Sequence, residues 1–99
     1  MASLKKELVE DMKEAMKNKN EQKIRVIRRI RAIIKNKEIK KQKELSDEEV
    51  VEIMANKVSD FQESVNKFQD EGQTEAVSEV KQSIEIITQY LPDNVLSEL

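Results

Sequence analysis

The sequence predicts an all-α protein: an antiparallel helical bundle of about four helices, with a long heptad-spaced helical hairpin. Three observations carry this. Apolar residues keep helical spacing almost from end to end. One Gly and one Pro are the only strong breakers in 99 residues. Charged residues make up 38% of the chain, which exceeds the roughly 25% of an average domain and suits long exposed helices better than strands and turns. So much charge also fits a disordered chain, but disorder gives no reason to hold apolar residues on one helical face. The length suits one domain. Residues 1–92 read as a single helical domain and 93–99 as the start of a further segment, in which Ser97-Glu98 resembles the opening of another helix.

The first helix is expected from Ser3, its cap, to Lys17, with Leu4, Leu8, Met12 and Met16 recurring every four residues. Asn18-Lys19-Asn20 is a polar turn, and Asn20 caps the second helix, which runs from Glu21 to about Asn36 or on to Lys41. Its stripe is Ile24, Ile27, Ile30 and Ile34, widened by Val26 and Ile33. These β-branched residues lower helix propensity slightly, but their spacing is helical and not alternating. Ser46-Asp47-Glu48-Glu49 has the pattern of a capping box. The third helix follows to about Glu71, with Val51, Met54, Val58, Phe61, Val65 and Phe68 at alternating steps of three and four. Gly72 ends it. Thr74 opens the fourth, with Val77, Val80, Ile84, Ile87 and Leu91, and Leu91-Pro92 stops it. Two such helices joined by a short turn form an antiparallel hairpin that the first two can cover. A more open arrangement, with helices three and four projecting, stays available.

The residues offer little for catalysis. Without His or Cys there is no imidazole base, thiolate, disulfide or ordinary zinc site. The single Gly rules out a Gly-rich phosphate loop. The serines read as caps or solvated helix positions. Glu49-Glu52 has metal-like spacing, but acids at a helix start are favoured by the helix dipole in any case. No catalytic residue, metal or cofactor is therefore expected. No apolar run exceeds three residues, so no segment can span a bilayer, and a cytoplasmic protein with no membrane role is the expectation.

The charges are sorted. Residues 23–43 hold ten Lys/Arg and one acid, Glu38; residues 44–99 hold fourteen Asp/Glu and three Lys; residues 1–22 hold five of each sign. The net charge of −2 thus hides a basic arm and an acidic body. Such sorting speaks to partners and not to fold. On a helical wheel Arg25, Arg28, Arg29 and Lys35 fall opposite the apolar stripe, with Arg31 at its edge. Lys40, Lys41 and Lys43 extend the charge, as does Lys37. Arginine's planar fork suits phosphate, so this face is the candidate contact for structured RNA. The rival reading is a solvated helix face, or one neutralised by the acids of helices three and four. Phe61, Phe68 and Tyr90 are the only aromatics, and both Phe lie in the heptad seam, so stacking on splayed bases is not expected.

Several stretches together resemble one family. Leu8-Val9-Glu10-Asp11-Met12-Lys13-Glu14-Ala15-Met16-Lys17 looks like the opening of the bacterial YqeY family, related to the tail domain of the GatB amidotransferase subunit. Val26-Ile27-Arg28, Asn36-Lys37-Glu38-Ile39-Lys40, Leu45-Ser46-Asp47-Glu48-Glu49 and Gln89-Tyr90-Leu91-Pro92 follow in matching order. The resemblance covers nearly the whole chain. It implies the N-terminal domain of a two-domain helical protein, and a role beside tRNA near glutamine-dependent carbon–nitrogen ligases (amidotransferases) whose catalysis resides elsewhere. Arg28 matches a recurrent family position. The family's basic cluster in the middle of the third helix is replaced here by Ser59-Asp60-Phe61-Gln62-Glu63.

The expectation is a non-catalytic, tRNA-associated helical module contacting phosphate through Arg25, Arg28, Arg29, Arg31, Lys35, Lys40, Lys41 and Lys43. A rival is an interaction module that docks an amidotransferase, another protein or a second copy, as a monomer or weak homodimer. An amidotransferase-type enzyme is the third reading; it requires activity with glutamine and misacylated tRNA.

Overall fold

A computed structural model describes residues Ser3–Leu99, and every regular element among them is a helix. They are α1 (Leu4–Lys17), α2 (Glu21–Lys41), α3 (Asp47–Asp70), α4 (Thr74–Thr88) and a single turn, α5 (Asp93–Leu96). Internal contacts divide the chain into two compact units, one ending at Ile53 and one beginning at Met54, so the division falls inside α3.

In the first unit α1 and α2 pack against each other. Ser3 Oγ accepts from Lys6 N–H at 3.2 Å and Asn20 Oδ1 accepts from Lys23 N–H at 3.2 Å, so both helices carry the caps the sequence predicts. The core here consists of Leu8, Ala15, Val26, Ile27, Ile30, Ile34, Leu45, Val50 and Ile53. Met16, expected on the α1 stripe, is 46% exposed, and Ala15 is buried instead. Helical geometry explains the exchange. At about 100° per residue, four-residue steps drift by about 40° each, so Met16 lies about 120° from Leu4 while Ala15 lies within about 20°.

The start of α3 is doubly fixed. Glu49 N–H donates to Ser46 Oγ at 3.2 Å and Ser46 N–H donates to Glu49 Oε1 at 3.1 Å, completing the capping box. Leu45 and Val50 occupy the staple positions flanking that cap, and both are buried. Val50, not the expected Val51, therefore opens the buried stripe of α3, with Ile53 beside it; Val51 is half-buried.

In the second unit Met54, Val58, Val65, Ile87 and Leu91 are buried. The connection between α3 and α4 is short, which makes them antiparallel neighbours. Buried residues near the start of this stretch of α3 and the end of α4 fit that pairing. Phe61 and Phe68 are half-buried and not core, as are Val77, Val80 and Ile84. Lys57 Nζ lies 5.0 Å from the Phe61 ring centre, a cation on an aromatic face. α4 ends at Thr88, one turn before Leu91. Ser97 closes α5, and its hydroxyl donates to Asn94 O at 3.0 Å.

Three helices end in left-handed residues: Lys19 (φ 56°), Gln42 (φ 56°) and Gly72 (φ 70°). After α3, Gln73 N–H reaches Phe68 O and Gly72 N–H reaches Gln69 O, a Schellman closure. After α1, Asn20 N–H to Ala15 O and Lys19 N–H to Met16 O repeat it with a lysine where glycine is at ease.

Opposite stability changes should follow from the same backbone geometry. Lys19→Gly should stabilise the fold by up to about 1 kcal/mol and Gly72→Ala should destabilise it by about 1 kcal/mol, as read from urea unfolding midpoints. No atom lies within 4 Å of a Cβ built at Gly72, so the alanine effect comes from backbone conformation alone.

Candidate nucleic-acid interface

Burial of Val26, Ile27, Ile30 and Ile34 turns the other side of α2 to solvent. Arg25, Arg28, Arg29, Arg31, Lys35, Lys40, Lys41 and Lys43 are all exposed, as the sequence pattern requires. Arg25, Arg29 and Lys40 stand on the outer ridge of the helix. Arg28, Arg31 and Lys35 stand on its flank beside α1. Lys43 lies beyond the left-handed Gln42, with its N–H on Glu38 O at 3.2 Å. The set is therefore a ridge, a flank and a loop, not one flat face.

Few of these charges are held in ion pairs within the first unit. Among the described residues, Lys41 alone of the eight has a carboxylate partner: its Nζ lies 2.9 Å from Glu49 Oε2. Lys40 and Lys41 also sit in the last turn of α2, where the helix dipole favours cations. Arg31 Nη1 donates to Met12 Sδ at 3.6 Å, leaning across toward α1.

The one acid of the basic segment is already engaged. Glu38 Oε2 accepts from Lys5 Nζ at 2.7 Å and from Leu45 N–H at 2.9 Å. These two bonds hold its carboxyl below the usual carboxylate range, the lysine contributing most, and the same bond holds Lys5 above its ordinary value. One carboxylate thus ties α1, α2 and the connection before α3. Leu4 N–H adds a bond to Asp47 Oδ1 at 3.1 Å. Lys5 could not be picked from the sequence, because only the register of α1 against α2 brings it to the basic flank.

The remaining chemistry is sparse. Among the described residues no polar side chain is buried, and no group of acids is placed to hold a metal ion. Glu49, half of the metal-like pair, has its carboxyl pulled down to about 2 by Ser46 N–H first and Lys41 second. Ser64 and Ser83 hydroxyls donate to carbonyls one turn back, at Asp60 and Glu79. No helix among the described residues is long and apolar enough to cross a membrane.

An apolar helical core carrying an exposed cationic helix defines a helical domain with a charged face. Within that class the chain belongs to the YqeY family: the family model described as Yqey-like protein matches residues 5–98. Among curated proteins, none matches the chain significantly.

Glu38 and Glu49 give the fold a pH dependence of definite sign. Both carboxyls are lowered from 4.5, so their contribution is present above that pH and is lost as pH falls below it, for Glu49 down to about 2. Urea midpoints should drop between pH 6 and pH 3, both about these values, and Glu49→Gln should flatten part of that drop. An unchanged slope in Glu49→Gln would remove Glu49 as a contributor. Ser46→Ala should cost about 1 kcal/mol at neutral pH.

Proposed function

We propose that this domain is a non-catalytic module that associates with tRNA through the basic face of α2, in the setting of glutamine-dependent carbon–nitrogen ligases to which the family resemblance points. The observation that carries the reading is the exposure of Arg25, Arg28, Arg29, Arg31, Lys35, Lys40 and Lys43 on and just after one helix, none of them in an ion pair within the first unit. Four of these are arginines, whose forks take phosphate oxygens two at a time. The half-buried aromatics Phe61 and Phe68 lie on α3, so the basic face offers cations and no stacking platform. Contact with backbone and shape, not with splayed bases, is what such a face supplies.

A second reading rests on a different observation. Phe61, Phe68, Val77, Val80 and Ile84 leave the stripes of α3 and α4 only half covered. The acidic residues 44–99 are also complementary in sign to the basic residues 23–43 of another copy. A self-associating module would bury that stripe in a dimer that dissociates on dilution.

Fluorescence anisotropy with tRNA tests the first reading. A face neutralising about five phosphates should lose roughly 10²–10³ in affinity between about 50 and about 200 mM salt. Arg25→Glu with Arg28→Glu and Arg29→Glu should abolish binding with helicity unchanged by circular dichroism. Equal binding by that variant would overturn the assignment. Absent binding at low salt, with sedimentation showing a concentration-dependent dimer, would favour the second reading.

A further inference from the structure

The cations of α2 differ in what surrounds them. Arg25, Arg29 and Lys40 project from the ridge. Arg28, Arg31 and Lys35, spaced by three and four residues, line the groove between α1 and α2, with Lys5 on the facing helix. Four cations therefore surround one concavity. The only acid among its lining residues, Glu38, is already bound to Lys5 Nζ and Leu45 N–H. The concavity keeps a local excess of positive charge.

Its floor strengthens that charge. Leu8 and Ile34, both buried, form part of the lining. A groove of one charge sign over low-dielectric walls focuses field lines into the opening, and a flat ridge does not. Ala32 also lines the groove, one turn after Arg28 and three residues before Lys35. Its small side chain leaves space between the two cations. Arg31 commits one donor to Met12 Sδ at 3.6 Å, which anchors it across the groove while its other N–H groups remain.

We infer that this groove is a discrete seat for a single phosphate group, formed by Lys5, Arg28, Arg31 and Lys35. A tetrahedral oxyanion matches the set: the arginine forks take paired oxygens and the lysines supply point charge. The ridge cations contribute only a diffuse field. The phosphate comes from an RNA backbone if the tRNA reading holds, and from a free phosphate compound if it does not. The inference rests on the tRNA reading for that source alone.

Nuclear magnetic resonance of the ¹⁵N-labelled chain, titrated separately with inorganic pyrophosphate and with tRNA, tests the seat. Pyrophosphate should give saturable shifts concentrated on groove residues of α1 and α2. Arg28→Ala with Lys35→Ala should weaken pyrophosphate by about tenfold or more. Arg25→Ala with Arg29→Ala removes the same charge and should weaken it by less than about twofold, because these two do not line the groove and act on it only across screening solvent. The spectra themselves report whether each variant is folded. Equal losses from the two pairs, shifts spread along the ridge, or no pyrophosphate binding would each overturn the seat. Should tRNA bind while pyrophosphate shows no localised shifts, the seat fails and the tRNA reading stands. Localised pyrophosphate binding without tRNA binding has the converse meaning: the seat stands, and its ligand is a free phosphate compound.

Discussion

Ile27, Ile30 and Ile34 leave α2 one orientation. Each is buried to within a few per cent, and each such side chain is worth roughly 1.5–3 kcal/mol relative to exposure. Rolling the helix by a quarter turn would expose part of this stripe and press Arg28 or Arg29 toward the core. An unpaired charge in that position costs several kcal/mol more. Both terms act in the same direction, so the packing that holds α2 to α1 also aims its arginines outward. The basic face is the necessary complement of the apolar stripe and needs no further interaction to hold it.

What the stripe does not fix is the position of α2 along α1 and the exit of the chain toward α3. Glu38 supplies that restraint. Its carboxylate receives the Lys5 ammonium from α1 and the Leu45 N–H from the connection. Eleven residues on, Glu49 closes the capping box with Ser46 and receives Lys41 from α2. Each pair is partly exposed, and an exposed pair contributes little to stability. Their value is positional: they fix register where apolar packing permits sliding, and the first of them occupies Glu38, the one acid within the basic segment.

Much of this was legible in the sequence. Helical periodicity, the Ser46–Glu49 box and the outward set of cations all follow from residue spacing along one chain. The misses have identifiable causes. Ala15 displaced Met16 because a stripe read by equal four-residue steps drifts from the true turn of the helix, and Val50 displaced Val51 because it takes the staple position against Leu45 beyond the Ser46 cap. Leu45 lies outside any helix, so periodicity could not mark it, although its place before the Ser46 cap could have. Lys19 and Gln42 adopt left-handed geometry that only Gly72 announced. Lys5 became a groove residue through inter-helix register, which no spacing along one chain encodes.

The same physics bounds what the face can recognise. Its cations sit on a helix whose other side is packed, so their spacing changes little when a ligand arrives and little ordering entropy opposes binding. A fixed array of this kind distinguishes partners by the arrangement of their phosphates. It has no buried polar group and no aromatic platform with which to read a base. Affinity drawn from counterion release is strongly dependent on salt and indifferent to sequence. On the tRNA reading, selectivity for one RNA over another comes from the shape of the phosphate backbone. A concave position, such as the groove between α1 and α2, responds to that shape where an exposed ridge responds mainly to total charge.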